Sequence, residues 1–122
     1  MSLSIDIHDK KTTMVRFSLE GSIDTSTFVL LERRLDKVLE TDTCLIIYDM
    51  RGVEYMSSAG IRVILKTRKA MKKRGGHVFL LHLQPQIKKV LAFINQLPSL
   101  EAYSVEELDM YLDQIQRGER EV

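Results

Sequence analysis

The sequence predicts one α/β domain on a mixed, mostly parallel sheet of four to five strands, with an antiparallel N-terminal edge and about four helices. The chain opens on two segments that alternate apolar and polar residues, as half-buried strands do, separated by a short polar break. Two later runs, "CLIIYDM" and "HVFLLHL", are short and continuously apolar, which suits strands covered on both faces. Four further segments space their apolar residues three or four apart, the period of a helix with one buried face. The order β-β-α-β-α-β-α-β-α then implies a sheet flanked by helices with right-handed crossovers. The 122 residues suffice for one core without disulfide or metal support, with 1–118 forming the domain and 119–122 fraying.

In the first strand Leu3, Ile5 and Ile7 alternate inward, and in the second Val15, Phe17 and Leu19, with Asp9-Lys10-Lys11 joining them. In "DTSTFVLLERRLDKVLE", Phe28, Leu31, Leu35 and Val38 line one helical face behind the capping candidates Asp24, Thr25 and Ser26. "CLIIYDM" is the central strand. A second helix runs from about Ser58, with Ile61, Ile64, Leu65 and Met71 inward, and stops at Gly75-Gly76. "HVFLLHL" reads as another buried strand. Pro85 opens the third helix, where its missing N–H costs nothing, and Ile87, Val90, Leu91 and Ile94 form its stripe as far as Pro98. "LEAY" reads as a last short strand. Ser104 and Glu107 then form a capping box for a helix that buries Val105, Leu108, Leu112 and Ile115.

Hydrophobic residues make up 44% and charged residues 29%, and the formal net charge is +1. That balance supplies no overall attraction to nucleic acid or membrane, so electrostatic function is local. Cys44, the single cysteine, lies in an apolar run and reads as a small buried hydrophobe in a reducing compartment. With no signal-peptide pattern and no apolar run of membrane-spanning length, the expected location is the cytoplasm. There is no Gly-x-x-x-x-Gly-Lys loop and no Gly-x-Ser-x-Gly elbow, so neither enzymatic activity nor a bound cofactor is expected. His77 and His82, five apart on one strand, point to opposite faces and His8 is distant in sequence, so no metal site is expected.

Open α/β sheets place their sites beyond the carboxyl ends of parallel strands. Two stretches fall there, "EGSID" (Glu20 to Asp24) and "DMRGVEYMSSAG" (Asp49 to Gly60). If their strands are neighbours, Asp24 and Ser58 share one rim. The adjacent serines admit two readings: Ser57 or Ser58 is an N-cap, or Ser58 is a modified residue. A helix start offers backbone N–H groups and a partial positive charge, so a phosphate on Ser58 would sit there without gross unfolding while changing the surface charge. Gly60 either lets a partner's backbone approach or fits a tight turn into the helix.

Gly-Ser-Ile-Asp before the first helix, followed by Asp49-Met50-Arg51-Gly52-Val53-Glu54-Tyr55-Met56-Ser57-Ser58-Ala59-Gly60-Ile61, resembles the STAS family, and most closely its stand-alone bacterial anti-sigma-factor antagonists. The likeness runs from about Thr12 to Leu112. It implies a small mixed sheet with helices on its face. It also implies phosphorylation of a serine two residues before the glycine, here Ser58, by a partner that is both anti-sigma factor and serine kinase of the GHKL ATPase type. The ATP belongs to that partner, and a serine phosphatase reverses the step. The aspartate of the first loop falls on Asp24, and the partner-binding rim comprises Ser22, Asp24, Ser57, Ser58, Ala59, Gly60 and Arg62. Many members carry Asp just before the acceptor, where this chain has Ser57.

Three other readings stand beside this one. STAS domains also serve as regulatory modules of transporters and of stressosome-type assemblies. A small serine hydrolase would pair Ser58 with His82, but no orienting acid or oxyanion loop is evident. The bases Arg62, Lys66, Arg68, Lys69, Lys72, Lys73 and Arg74 on the second helix form either a solvated face or a binding stripe, without the aromatic interleaving of a nucleic-acid site.

Overall fold

The computed structural model describes residues 2–11 and 13–119 and, for residues 8–11, the backbone alone. Its elements are β1 (Leu3–Lys11), β2 (Met14–Ile23), α1 (Phe28–Leu39), β3 (Leu45–Met56), α2 (Ser58–Lys73), β4 (His77–Leu81), α3 (Pro85–Gln96), a 3-10 turn at Leu100–Ala102 and α4 (Val105–Gln116). The strands lie in the order β1-β2-β3-β4, with β1 antiparallel to β2 and the other pairings parallel. This is the mixed sheet with an antiparallel N-terminal edge that the sequence predicts, with four strands.

Alternation decides which side of the sheet is the core. Val15, Phe17 and Leu19 of β2 and Ile46 and Tyr48 of β3 are buried on one face, with the Phe17 and Tyr48 rings 5.1 Å apart. That face receives α2, because Tyr48 Oη and Thr67 Oγ1 lie 2.8 Å apart across the layers. Thr67 Oγ1 donates its hydrogen to the Val63 carbonyl, so Tyr48 is the donor in the pair. Burial pushes the Tyr48 phenol well above its ordinary value. On the opposite face Arg16 Nη2 donates to Asp49 Oδ2 at 2.6 Å, and the Arg51 amide donates to Asp49 Oδ1. Burial alone would raise the Asp49 carboxyl. The hydrogen bonds from Arg16 and the Arg51 amide, with the two positive charges, outweigh it and hold the group below 3.8.

Several expectations are corrected. Asp9-Lys10-Lys11 is not the turn: β1 continues to Lys11 with a register shift and β2 begins at Met14, Thr12 lying outside the described residues. "HVFLLHL" is not a fully buried strand. β4 is last in the sheet and has one neighbour, and its side chains alternate, with Phe79 52% and Leu81 37% exposed on one face and Val78 and Leu80 half-buried on the other. "LEAY" is not a strand, because the Ser99 hydroxyl accepts from the Glu101 amide and bends the segment into a 3-10 turn. Cys44 precedes the first residue of β3 and is exposed. In α2, Val63 and Thr67 are buried and Leu65 is only half-buried; Val105, the first residue of α4, is 49% exposed.

Other local signals match. Pro85 occupies the first turn of α3, and both bonds of the Ser104–Glu107 capping box are formed. Gly118, at φ 76°, closes α4 with the Glu119 amide donating to the Gln114 carbonyl. Of the tail 119–122 that the sequence reads as fraying, 120–122 lie outside the described residues.

Two outcomes follow from this packing. Tyr48→Phe deletes a buried donor while Thr67 keeps its bond to Val63, so chemical denaturation should register a loss of about 1–2 kcal/mol. The folded state keeps Asp49 ionised to lower pH than the unfolded chain does, so its stabilising contribution is complete well above 3.8 and is lost as pH falls through the lower folded value. Melts between neutral and acid pH should therefore show a shallower acid limb for Asp49→Asn than for wild type.

Candidate functional site

Strands β2 and β3 stay paired to their last residues, Ile23 beside Met56, and the Ser57 amide donates to the Ile23 carbonyl at 2.8 Å as the chain leaves the sheet. "EGSID" and the stretch Arg51 to Met56, which the sequence reads as loops, are therefore mainly strand. Two register shifts, between Ser18 and Glu20 and between Gly21 and Ser22, let the strands remain paired over this length. Gly21 holds φ 114°, and a Cβ there would lie 2.2 Å from the Ser2 carbonyl oxygen, so only glycine fits the bend.

Beyond Ile23, Asp24 organises the turn into α1. Its Oδ1 accepts from the amide and hydroxyl of Ser26, and its own amide donates to Thr27 Oγ1, which in turn donates to the Ser22 carbonyl. Burial alone would raise the Asp24 carboxyl, but the hydrogen bonds from Ser26 and Thr27 outweigh it and keep the group below its ordinary value. Asp24 is thus ionised at neutral pH and sits beside the start of α1. Thr27 is the N-cap by position, without a side-chain cap bond. Val29 and Leu30, in the first turn, are 40% and 43% exposed.

The helix start on the neighbouring strand is built differently. Ser57 occupies the N-cap position of α2 and Ser58 is its first residue, yet neither side chain caps the helix. Both hydroxyls are buried and make no hydrogen bond among the described residues, with Ser57 5% and Ser58 1% exposed. Neither hydroxyl therefore serves the helix as a side-chain cap. Capping comes instead from α4: Asp109 Oδ1 accepts the Ser58 amide at 2.8 Å. The anion-favouring position that the sequence leaves open is thus held by a carboxylate of the same chain. Gln116 adds a second clamp, accepting the Met56 amide at 2.7 Å and donating to the Met56 carbonyl at 2.9 Å. Tyr55 Oη donates to Asp113 Oδ1, and burial, with the Asp113 charge and bond, pushes the phenol up to about 12.

Asp24 and the serines therefore stand at adjacent strand ends. Of the residues singled out from the sequence, Arg62 is exposed, Asp24 and Ala59 are half-buried, and Ser22, Ser57, Ser58 and Gly60 are buried. The space that a Cβ on Gly60 would need is taken by Ile23 Cγ2 at 2.7 Å and Met56 Cγ at 3.0 Å, so the glycine lets α2 approach the sheet. Sequence reasoning missed Asp109 and Gln116, which lie fifty residues or more from their targets in a segment whose local pattern says only helix. It also passed over Val29 and Leu30, although both stand off the inward stripe of α1.

Two alternatives lose geometric support. His82 is not on β4, which ends at Leu81 opposite Asp49; it adopts φ 57° beyond the strand end, while β3 continues seven residues past Asp49 before Ser57. Ser58 Oγ makes no bond to it. The basic run on α2 is partly used within the chain. Lys66 pairs with Asp36 and Glu32 of α1, and Arg74 donates to the carbonyl of Leu39, the last residue of α1, and to those of Thr41 and Thr43 in the segment that follows. Among the described residues, no three His, Cys, Asp or Glu side chains could hold a metal ion, and no helix is long and apolar enough to cross a membrane. A cavity of about 760 Å³ opens among Ile7, Val15, Lys37, Val38 and Thr41 and shares no residue with the rim.

A four-stranded α/β sheet whose two central strands end side by side, with a serine-bearing helix start on their rim, defines a small domain organised around that edge. The chain belongs to the STAS domain family, whose sequence profile matches residues 5–109. It is 26% identical over 93 residues to the anti-sigma F factor antagonist of Paenibacillus polymyxa, covering 75% of this chain and 78% of that one. It is 28% identical over 82 residues to BtrV of Bordetella bronchiseptica, which carries an anti-sigma factor antagonist designation provisionally, covering 67% and 71%. In fold it is similar to the anti-sigma factor antagonist SpoIIAA in its unphosphorylated form, with TM-score 0.70, 18% identity, and 75% and 81% of the two chains covered. An anti-sigma factor antagonist from Mycobacterium paratuberculosis matches with TM-score 0.63, 19% identity, and coverage of 89% and 95%.

Gly60→Ala would force the Ile23 and Met56 side chains to move in a packed interior. Denaturant titration should show a loss of about 1–3 kcal/mol, with the helix content retained in the folded baseline.

Proposed function

We propose that this chain is a cytoplasmic anti-sigma-factor antagonist that acts by partner switching. Unphosphorylated, it binds an anti-sigma factor that is also a serine kinase of the GHKL ATPase type. The binding surface is the rim made by Ser22, Asp24, Ser57, Ser58, Ala59, Gly60 and Arg62, extended by the exposed Val29 and Leu30. Binding sequesters that partner and frees a sigma factor or another effector.

The observation that carries this reading is the pair of buried hydroxyls at the start of α2 that make no hydrogen bond among the described residues, in the register where the family's acceptor falls. The names of the relatives and the likeness to SpoIIAA, solved also in a phosphorylated form, support the same role. In the transfer, Ser58 Oγ forms a bond to the γ-phosphorus of ATP held by the kinase as the bond to the β-phosphate oxygen breaks. ADP leaves, and the hydroxyl proton passes to a base of the kinase. The phosphate adds about −1.5 to −2 charges at neutral pH, and the partner's surface, shaped for a hydroxyl, is repelled. A serine phosphatase hydrolyses the ester and restores binding.

The test is affinity capture from the source organism with wild type, Ser58→Ala and Ser58→Asp, followed by titration of the captured kinase and fragment mass spectra after incubation with ATP. Label should fall on Ser58 and vanish in Ser58→Ala. Ser58→Asp should bind the kinase more weakly by about 2–5 kcal/mol, the cost of an unpaired charge buried in an interface. Phosphate on Ser57, or equal binding by Ser58→Asp, would overturn the proposal.

A further inference from the structure

We infer that docking of α4 on the rim and a phosphate on Ser58 exclude each other, so that Asp109 is a latch over the acceptor and phosphorylation releases the N-terminal half of α4. The inference rests on the reading of Ser58 as acceptor and adds a moving part to it.

The geometry is closed around one point. Asp109 Oδ1 stands 2.8 Å from the Ser58 nitrogen, and covalent geometry keeps a serine's Oγ within about 4 Å of its own nitrogen. The phosphate would therefore be attached within about 7 Å of the Asp109 carboxylate. Neighbouring like charges that have lost part of their water repel strongly. The residue is also 1% exposed, with its hydroxyl oxygen covered, so an in-line approach to a γ-phosphorus requires the cover to open first.

The cover can open without dissolving α4. The Ser104–Glu107 capping box satisfies the helix start from within its own first turn, so that end keeps its cap when Asp109 lets go. At the other end Gln116 holds both main-chain groups of Met56 and can act as the pivot. The edge contacts of Tyr111 with Phe93 and Tyr103 tie the middle of α4 to its neighbours, so the motion is a tilt of the helix rather than its departure. Asp109 is thereby a positioning residue. It supplies the cap that Ser57 and Ser58 do not, and it makes that cap sensitive to charge on Ser58.

Native-state hydrogen exchange on the full chain tests this without any kinase. The variants are Ser58→Ala, Ser58→Asp, Asp109→Asn and the double variant Ser58→Asp with Asp109→Asn. Ser58→Asp should accelerate exchange in α4 about tenfold relative to Ser58→Ala, while β2, β3 and α3 keep their protection. Asp109→Asn, which retains an oxygen acceptor for the Ser58 amide, should return α4 in the double variant to within about twofold of Asp109→Asn alone. Equal α4 exchange in Ser58→Asp and Ser58→Ala overturns the inference. So does acceleration spread over all elements, or acceleration that Asp109→Asn does not reverse, since either is the signature of a steric intrusion rather than a charge contact. If α4 is released but the kinase labels Ser57 or nothing, the functional proposal fails and the coupling stands. If Ser58 is labelled and α4 stays protected, the reverse holds.

Discussion

The parallel pairing of β2 with β3, carried to Ile23 and Met56, is the constraint on which the rest of the molecule depends. Parallel strands point their carboxyl ends the same way, so the two chain segments that leave them emerge as neighbours. The last rung, from the Ser57 amide to the Ile23 carbonyl, fixes how α2 starts relative to the Asp24 turn. Bulges in this ladder absorb the mismatch between the ten residues of β2 and the twelve of β3, and Gly21 is the point at which the backbone bends to allow it.

A helix beginning at such an edge must satisfy its first amides, and this chain does so with a residue from a distant helix. Local capping works elsewhere in the same molecule, as Ser104 and Glu107 show. At α2 two serines suited to that task leave it undone, and a carboxylate fifty-one residues downstream performs it. Helix stability at the rim is thus a tertiary property, set by how α4 packs, whereas the start of α4 is a property of its own sequence.

Where the sequence was legible, the signal was short-range. The capping box, Pro85 in the first turn of α3, and the apolar periods of α1 and α3 needed only neighbours along the chain to be read. The mixed sheet with its antiparallel edge followed from the element order, and a motif drew attention to Ser58 and Asp24. Misreadings arose where pairing or exposure depends on distant partners. Arg51 to Tyr55 mixes charge, glycine and apolar residues like a loop, and becomes strand because the bulged end of β2 lies beside it. "HVFLLHL" looks like an interior strand by composition, yet β4 lies at the sheet edge and Phe79 and Leu81 stand on the face away from α2 where Leu45 and Ile47 of β3 are also only half-buried. Cys44 is apolar company by sequence and solvent-exposed because β3 begins one residue later. Nothing near Asp109 or Gln116 announces that their side chains reach another helix and a strand end.

The Gln116 clamp on Met56 spans sixty residues of chain, and the contact between Asp109 and Ser58 spans fifty-one. During synthesis the sheet, α1 and α2 can assemble from the first eighty or so residues, because each of those contacts lies within the portion already made. The helix that caps the start of α2 is translated after all of them. A nascent chain therefore carries an uncapped α2 start until α4 clears the ribosome, and the Ser58 amide gains its carboxylate partner only then.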